Sequence, residues 1–330
     1  MKKTLIAILL GVSALFISCT KSNSKNESSI SVVTTTFPVY DAVRAAGKNL
    51  IGNQINLKLL VKPGTEVHSF DPSPADIISI QNSDLFIYVG GESDEWVEKI
   101  IKSSGKDLKS TAVSLMNYVK TVDEPEFDDE SEEADHHHEE HEDHDEENEH
   151  EADEHIWTSP ENEILIMKAV SEALINAAEK KSKPELKKQI IENSENYIGQ
   201  INELIKTTRA ILDSKAEPFL LMADRFPFVY FADFYGLNYD AAFSGCSTAV
   251  EANTKTISRL IDTVNEKKLP AVFYIELGNH KIADSIAENT GVKTILLQSC
   301  QNVTKTDFDN GETWLSLMKN NAEALNAGLR

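Results

Sequence analysis

Seven of the nine histidines lie between Asp123 and His155, in a stretch that holds twenty of the 54 acidic residues and no Lys or Arg. They are His136, His137, His138, His141, His144, His150 and His155. Imidazole is mostly neutral at pH 7, and imidazole nitrogens with carboxylate oxygens suit zinc and its first-row neighbours. The chemistry on offer is therefore capture of a divalent ion. Outside the tract 34 acids face 32 bases, so nearly the whole formal charge of -22 belongs to this one segment. In conformation such a charge run is a solvated, disordered insert, and its interspersed histidines give it a metal-capturing role as well. A chain this acidic, with no basic stripe, is not a nucleic-acid binder.

Within the tract, His137-His138-Glu139-Glu140-His141 matches the inverted H-x-x-E-H pattern of zinc peptidases. In a segment built almost solely of His, Glu and Asp the match arises by chance. No apolar periodicity there would set both histidines on a packed helix. HExxH, GxSxG and Walker patterns are absent as well, so a secreted zinc hydrolase is the weaker reading and a protein that is not an enzyme the stronger.

Two histidines have ordered surroundings in sequence. His68 lies in Lys62-Pro63-Gly64-Thr65-Glu66-Val67-His68-Ser69-Phe70-Asp71-Pro72-Ser73-Pro74, a loop after a strand and before a helix. His155 closes the acidic tract and leads into Ile156-Trp157-Thr158-Ser159-Pro160, where packed structure resumes. A lone histidine is more often an ordinary surface or core residue than a ligand, so composition by itself does not select either one.

The elements that must position them follow βαβ logic, which implies mostly parallel sheets with helices on their faces. Strands are expected at 31–36, 55–61 and 85–89, and helices at 38–46, 75–82, 95–102 and 161–181. A long helical stretch then runs from about Pro184 to Ala216, with Leu186, Ile190, Tyr197, Ile201, Leu204 and Ile211 at three- and four-residue steps. At 1.5 Å per residue it reaches about 45 Å, enough to hold two lobes at a fixed spacing. Gly199 is its weak point, at a cost of about 1 kcal/mol relative to alanine. The alternation repeats with strands at 219–222, 239–243, 271–275 and 294–297 and helices at 226–235, 254–268, 281–289 and 312–329. The expected fold is α/β, with two Rossmann-like lobes of mostly parallel sheet joined by one long rigid helix and a ligand cleft between them. The boundaries are an N-terminal lobe at 31–183 carrying the insert 123–154, a linking helix at 184–216 and a C-terminal lobe at 217–330.

Met1, Lys2 and Lys3 precede an apolar run from Leu5 to Ile17 that is too short to span a bilayer and reads as a secretory signal. Leu15-Phe16-Ile17-Ser18-Cys19 resembles a bacterial lipoprotein box, which implies cleavage after residue 18, lipidation of Cys19 and a flexible tether over 19–30. The protein would then be exported and held on the periplasmic or cell-surface face of a bacterial membrane by its lipid. Cys246 and Cys300 remain, an even pair in an oxidising compartment. One disulfide between them is expected, with thiolate ligation of the ion the alternative.

Taken together, Gly64-Thr65-Glu66-Val67-His68-Ser69-Phe70-Asp71-Pro72-Ser73, His155-Ile156-Trp157-Thr158-Ser159-Pro160 and the His/Asp/Glu-rich insert before the latter resemble the zinc and manganese ABC-importer substrate-binding proteins. Thr34-Thr35-Thr36-Phe37-Pro38, Phe234-Tyr235-Gly236-Leu237 and Trp314-Leu315-Ser316-Leu317-Met318 extend the likeness over nearly the whole mature chain. The resemblance implies a monomeric receptor that carries Zn2+, with Mn2+ the alternative, to an ABC permease. It also implies His68 and His155 as two ligands from the N-terminal lobe. In the C-terminal lobe Arg225 stands where the family places a histidine or glutamate, and a guanidinium cannot ligate a cation. Ser299-Cys300-Gln301-Asn302 stands where manganese-type members carry an aspartate. Glu276 is the candidate third ligand, with His280 and Asp224 further options. Glu276 would otherwise form a salt bridge to Arg225, and Asp224 and Arg225 would support the site from behind. A metal-binding adhesin, a third reading, requires an exposed apolar or aromatic patch.

Overall fold

The computed structural model describes residues 29–104, 108–127, 151–247 and 252–330. The signal peptide, Cys19 and most of the tether lie outside the described residues, as do His136, His137, His138, His141, His144 and His150. Among the described residues no helix is long and apolar enough to cross a membrane.

The first lobe is a four-stranded sheet of β1 (Ile30–Thr34), β2 (Ile55–Leu59), β3 (Leu85–Tyr88) and β4 (Ala112–Ser114) in the order β2-β1-β3-β4, every pair parallel. Helices α1 (Phe37–Ala46), α2 (Pro74–Gln81), α3 (Glu95–Ser103) and α4 (Pro160–Lys180) accompany it. The second lobe repeats the plan with β5 (Phe219–Phe226), β6 (Asn238–Ser244), β7 (Ala271–Tyr274) and β8 (Lys293–Leu296) in the order β6-β5-β7-β8, again all parallel. Its helices are α6 (Val229–Tyr235), α7 (Thr254–Lys267), α8 (Lys281–Thr290), α9 (Lys305–Asn310) and α10 (Trp314–Gly328). The two-lobed α/β architecture expected from the sequence is thus present. In each sheet the chain winds outward in both directions from one strand, β1 or β5, and ligands in such sheets collect beyond the strands' carboxyl ends.

Helix α5 (Leu186–Asp213) joins the lobes. Its 28 residues extend about 42 Å. Leu186, Ile190, Tyr197, Ile201, Leu204 and Leu212 form its buried stripe, and that stripe belongs to one core shared by both lobes. Trp314 and Trp157 knit this core, since Trp314 Nε1 donates to Trp157 O at 2.9 Å and Trp157 Nε1 donates to Ser299 O at 2.8 Å.

Three boundaries differ from expectation for physical reasons. Strand β5 does not stop at Met222 but continues through a bulge between Met222 and Arg225 to Phe226. The described ends of the acidic insert are ordered. Asp123 pairs with Ala152 antiparallel, Glu124 N donates to Glu151 O and Asp153 N donates to Val122 O. Phe127 packs edge-on against Phe226 and Tyr239 of the second lobe. Backbone pairing and an aromatic anchor therefore hold both ends of the insert in place. At the other terminus Ile30, placed in the tether by sequence, is fully buried in β1.

Candidate metal centre

Loops at the carboxyl ends of the strands converge on one point. The loop after β2 carries His68, and the Ser73–Asp76 capping box that starts α2 fixes its far end. The turn after β3 carries Ser93. Here Gly91, at φ +81°, is required, because a Cβ on it would lie 2.9 Å from Glu154 Cβ. His155 heads the single 3-10 turn Ile156–Thr158, whose buried Ile156 and Trp157 lead into α4. From the second lobe, Gly245 passes so close to the His155 ring that an added Cβ would stand 3.0 Å from Cε1.

His68, Glu154 and His155 each offer a donor atom, and the three atoms lie within 4.8 Å of one another. Their surroundings fix the donor pattern. Asp153 Oδ1 accepts both the backbone N–H of His155 at 2.8 Å and its Nδ1–H at 3.1 Å. That leaves His155 Nε2 buried with no hydrogen-bond partner, and Asp153 Oδ2 is likewise unpartnered. Ser93 donates its only hydroxyl proton to Glu154 Oε1 at 2.5 Å, and its backbone N–H donates to Glu154 Oε2 at 3.0 Å. His68 Nδ1, 3.0 Å from Ser93 Oγ, must then be the donor in that contact. Both imidazoles are thereby held as Nδ1–H tautomers, with the His155 Nε2 lone pair unpartnered and that of His68 facing Gln301 Nε2 at 3.1 Å.

Electrostatics set a proton in competition with a cation for His155 and keep Glu154 ionised. Burial opposes charge on His155, but the carboxylates of Asp153, Glu154 and Glu124 outweigh it and raise the imidazole's pKa above its ordinary value. Burial would also raise the Glu154 carboxyl. His68, His155 and Ser93 more than offset that and hold it low, hence ionised. Two neutral nitrogens and a carboxylate oxygen, with access to a fourth position, are a donor set that suits tetrahedral zinc, whereas manganese favours more oxygens. Two cavities adjoin the cluster. One of about 400 Å³ is lined by Glu66 and His68 from the first lobe and by Asp224, Arg225 and His280 from the second. The other, of about 230 Å³, is lined by Glu92, Glu124, Glu151, Glu154 and Cys246 at the base of the insert.

Several residues singled out from sequence stand elsewhere. Glu276 is outside the cluster: it is buried after β7, and its oxygens accept the N–H and Oγ–H of Ser299 at 2.7 and 2.6 Å. Arg225 pairs across the cleft with Glu66 at 3.3 Å rather than with Glu276. Asp224 takes the N–H groups of Arg225 and Ile275, and His280 packs tilted against Tyr274 with ring centroids 4.1 Å apart. Cys246 and Cys300 are free thiols, so the expected disulfide is not formed. Each has its own surroundings: Cys246 N donates to Glu124 beside the cluster, while the Cys300 thiol is buried in the core and donates to Gln298 O. Burial and nearby carboxylates push both thiols up, and neither joins the three-donor cluster. Glu154, Ser93, Asp153 and Gln301 were not picked out by sequence. Glu154 had one available signal, its place beside His155 where apolar residues resume, and Gln301 had its place in the segment that stands where manganese-type members carry an aspartate; Ser93 had none.

The family model described as zinc-uptake complex component A, periplasmic, matches residues 32–328. The zinc-binding protein AdcA of Streptococcus pyogenes serotype M3 is 30% identical over 329 residues, which is 98% of this chain and 61% of that protein. The chain thus spans about three-fifths of the length of that relative. The high-affinity zinc uptake system protein ZnuA of Bacillus subtilis is 31% identical over 324 residues, 98% of this chain and 95% of that one. The crystal structure of the Zn(II)-bound ZnuA-like domain of Streptococcus pneumoniae AdcA superposes with a TM-score of 0.70 at 23% identity, covering 91% of this chain and 99% of that one, and shows the shared fold.

Proposed function

Because the chain belongs to the family of zinc-uptake complex component A proteins, we propose that it is an extracytoplasmic receptor that captures Zn2+ and hands it to an ABC-type importer, with no catalytic step. The observation that carries this reading is the buried, unpartnered His155 Nε2 converging with His68 and Glu154. Such a lone pair has no role in packing and a plain one in ligation. Lipid on Cys19, once residues 1–18 are removed, would keep the receptor at the membrane surface. The six histidines from His136 to His150, with the carboxylates around them, would raise the local cation concentration beside the site, an effect that salt weakens.

Calorimetric titration of zinc into the metal-stripped protein tests the reading. One tight site is expected, lost in His68→Ala and in His155→Ala. Unchanged affinity in either variant overturns the assignment. The zinc-loaded protein should show no peptidase turnover, and turnover abolished by His137→Ala would restore the hydrolase reading.

A further inference from the structure

The loop that carries His68 is touched by the second lobe in two different ways. At its start the bonds are neutral: Asn302 Nδ2 donates to Lys62 O at 2.9 Å and Thr65 O at 2.8 Å, and Gly64 N donates to Val303 O at 2.8 Å. Two residues before His68 the contact is charged, with Arg225 Nη2 standing 3.3 Å from Glu66 Oε2. Both members of that pair line the cleft cavity of about 400 Å³.

Each member is fixed by backbone on its own side of the cleft. Glu66 Oε1 accepts the N–H of Val67 at 3.0 Å and of His68 at 3.4 Å, while Oε2 faces the second lobe. A displacement of the Glu66 carboxylate therefore displaces the peptide that bears His68. Arg225 stands just past the bulge in β5, and Asp224 pins that bulge. Its Oδ1 accepts Arg225 N–H at 2.8 Å and its Oδ2 accepts Ile275 N–H at 3.4 Å. Gly278 leaves room for this carboxylate, since an added Cβ would lie 2.7 Å from Asp224 Oδ2. The guanidinium, whose side chain is only 16% exposed, is thus presented from a strand end, a stiffer platform than a loop.

A guanidinium cannot ligate a cation, but it can hold the carboxylate that holds a ligand's peptide. We propose that Arg225 is a latch: its pair with Glu66 draws the second lobe over the His68 loop and slows the departure of the bound ion. Parting the lobes separates the two charges, so the pair favours the closed cleft and its loss is felt in the rate of release. Glu66 is 47% exposed, so water and salt weaken the attraction, and the effect is a few-fold in rate. Asp224 and Gly278 become positioning residues for Arg225. The inference rests on the reading that His68 is a ligand of the carried ion.

Release of zinc from the full protein into excess chelator, followed by stopped flow, tests the latch. Arg225→Met keeps the reach of the side chain and removes its charge. Glu66→Gln removes the other charge and keeps an acceptor for the Val67 and His68 N–H groups. Each should speed release about fivefold, and the double variant should be no faster than either, because both changes delete one interaction. Arg225→Lys should restore part of the slow release, having the charge without the fork. Added salt should speed release more in the unaltered protein than in Arg225→Met. A wild-type release rate in Arg225→Met overturns the proposal, and so does a double variant whose effect is the product of the two singles, which separate structural roles would give. If His68→Ala binds zinc as wild type does, the reading beneath the latch has failed. Zinc binding lost in His68→Ala, with release unchanged in Arg225→Met, removes the latch alone.

Discussion

The protein buries two groups of titratable side chains against the same core, and they are finished differently. Around His68, Glu154 and His155, Ser93 and Asp153 account for both Nδ1 protons, and His155 Nε2 is left aimed at nothing. Farther into the core, Asp41 accepts from Trp314 N at 2.6 Å and from Arg44 Nε at 2.7 Å, and Arg44 also reaches Glu312 O. Beside Asp41 stands Glu163, fully buried, with neither carboxyl oxygen bonded. Both regions contain orphaned polar atoms, but only the first surrounds its orphan with convergent donors and adjoining cavities. An unsatisfied buried atom by itself marks cost; an unsatisfied atom whose neighbours are all fixed marks a ligand site.

The largest effect expected from breaking this contrast is at Asp153, which fixes the His155 ring without belonging to the three-donor cluster. Asp153→Ala removes the acceptor for both the backbone N–H and Nδ1–H of His155. Zinc affinity should fall about 10–100-fold, measured by competition with a chelator of known strength. Affinity equal to wild type would mean that the ring is held by packing against Trp157 and Gly245 alone.

Acid gives the next largest effect. Zinc needs a neutral imidazole, and the Asp153, Glu154 and Glu124 carboxylates keep the His155 pKa above 6.5 despite burial. Affinity should therefore weaken as pH falls through that raised value, by up to about tenfold per pH unit with one proton released per ion bound. For the metal-free fold the sign is opposite. A raised histidine pKa contributes stability that is fully present below pH 6.5 and is lost as pH rises through the folded-state value. A pH-independent affinity between pH 6 and 8 would contradict the raised His155 pKa.

How much of this was legible in the sequence depends on the length and burial of each piece. Buried apolar runs such as Phe86–Ile87 and Val272–Phe273 announce strands within a residue or two of where they lie. The stripe from Leu186 to Leu212 announces α5. The three-residue β4, half-buried throughout, and α9, with no buried residue, leave no pattern to read. At the site, His68 and His155 stand out by residue type and by resemblance. Glu154 is chemically indistinguishable from the carboxylates before it until Asp123 and Ala152 pair and bring it under Gly91. The contact of Gln301 with His68 becomes visible only once Glu276, the more conspicuous acid, is seen to bind Ser299.

The smallest effect comes from the other region and tests whether its orphan is merely a cost. Burial, with Asp41 adding to it, raises the Glu163 pKa well above 4.5, so the side chain keeps its proton in the fold where the unfolded chain would release it. That penalty is absent below pH 4.5 and grows as pH climbs toward the folded-state value. Glu163→Met keeps a similar length and removes the carboxyl, and it should stabilise the protein by about 1 kcal/mol at neutral pH. The gain should shrink toward pH 4, with zinc affinity unchanged. Denaturant unfolding at the two pH values, with a zinc titration at neutral pH, checks both halves. Destabilisation accompanied by weaker zinc binding would show that Glu163 acts on the site and that the two regions are not separate.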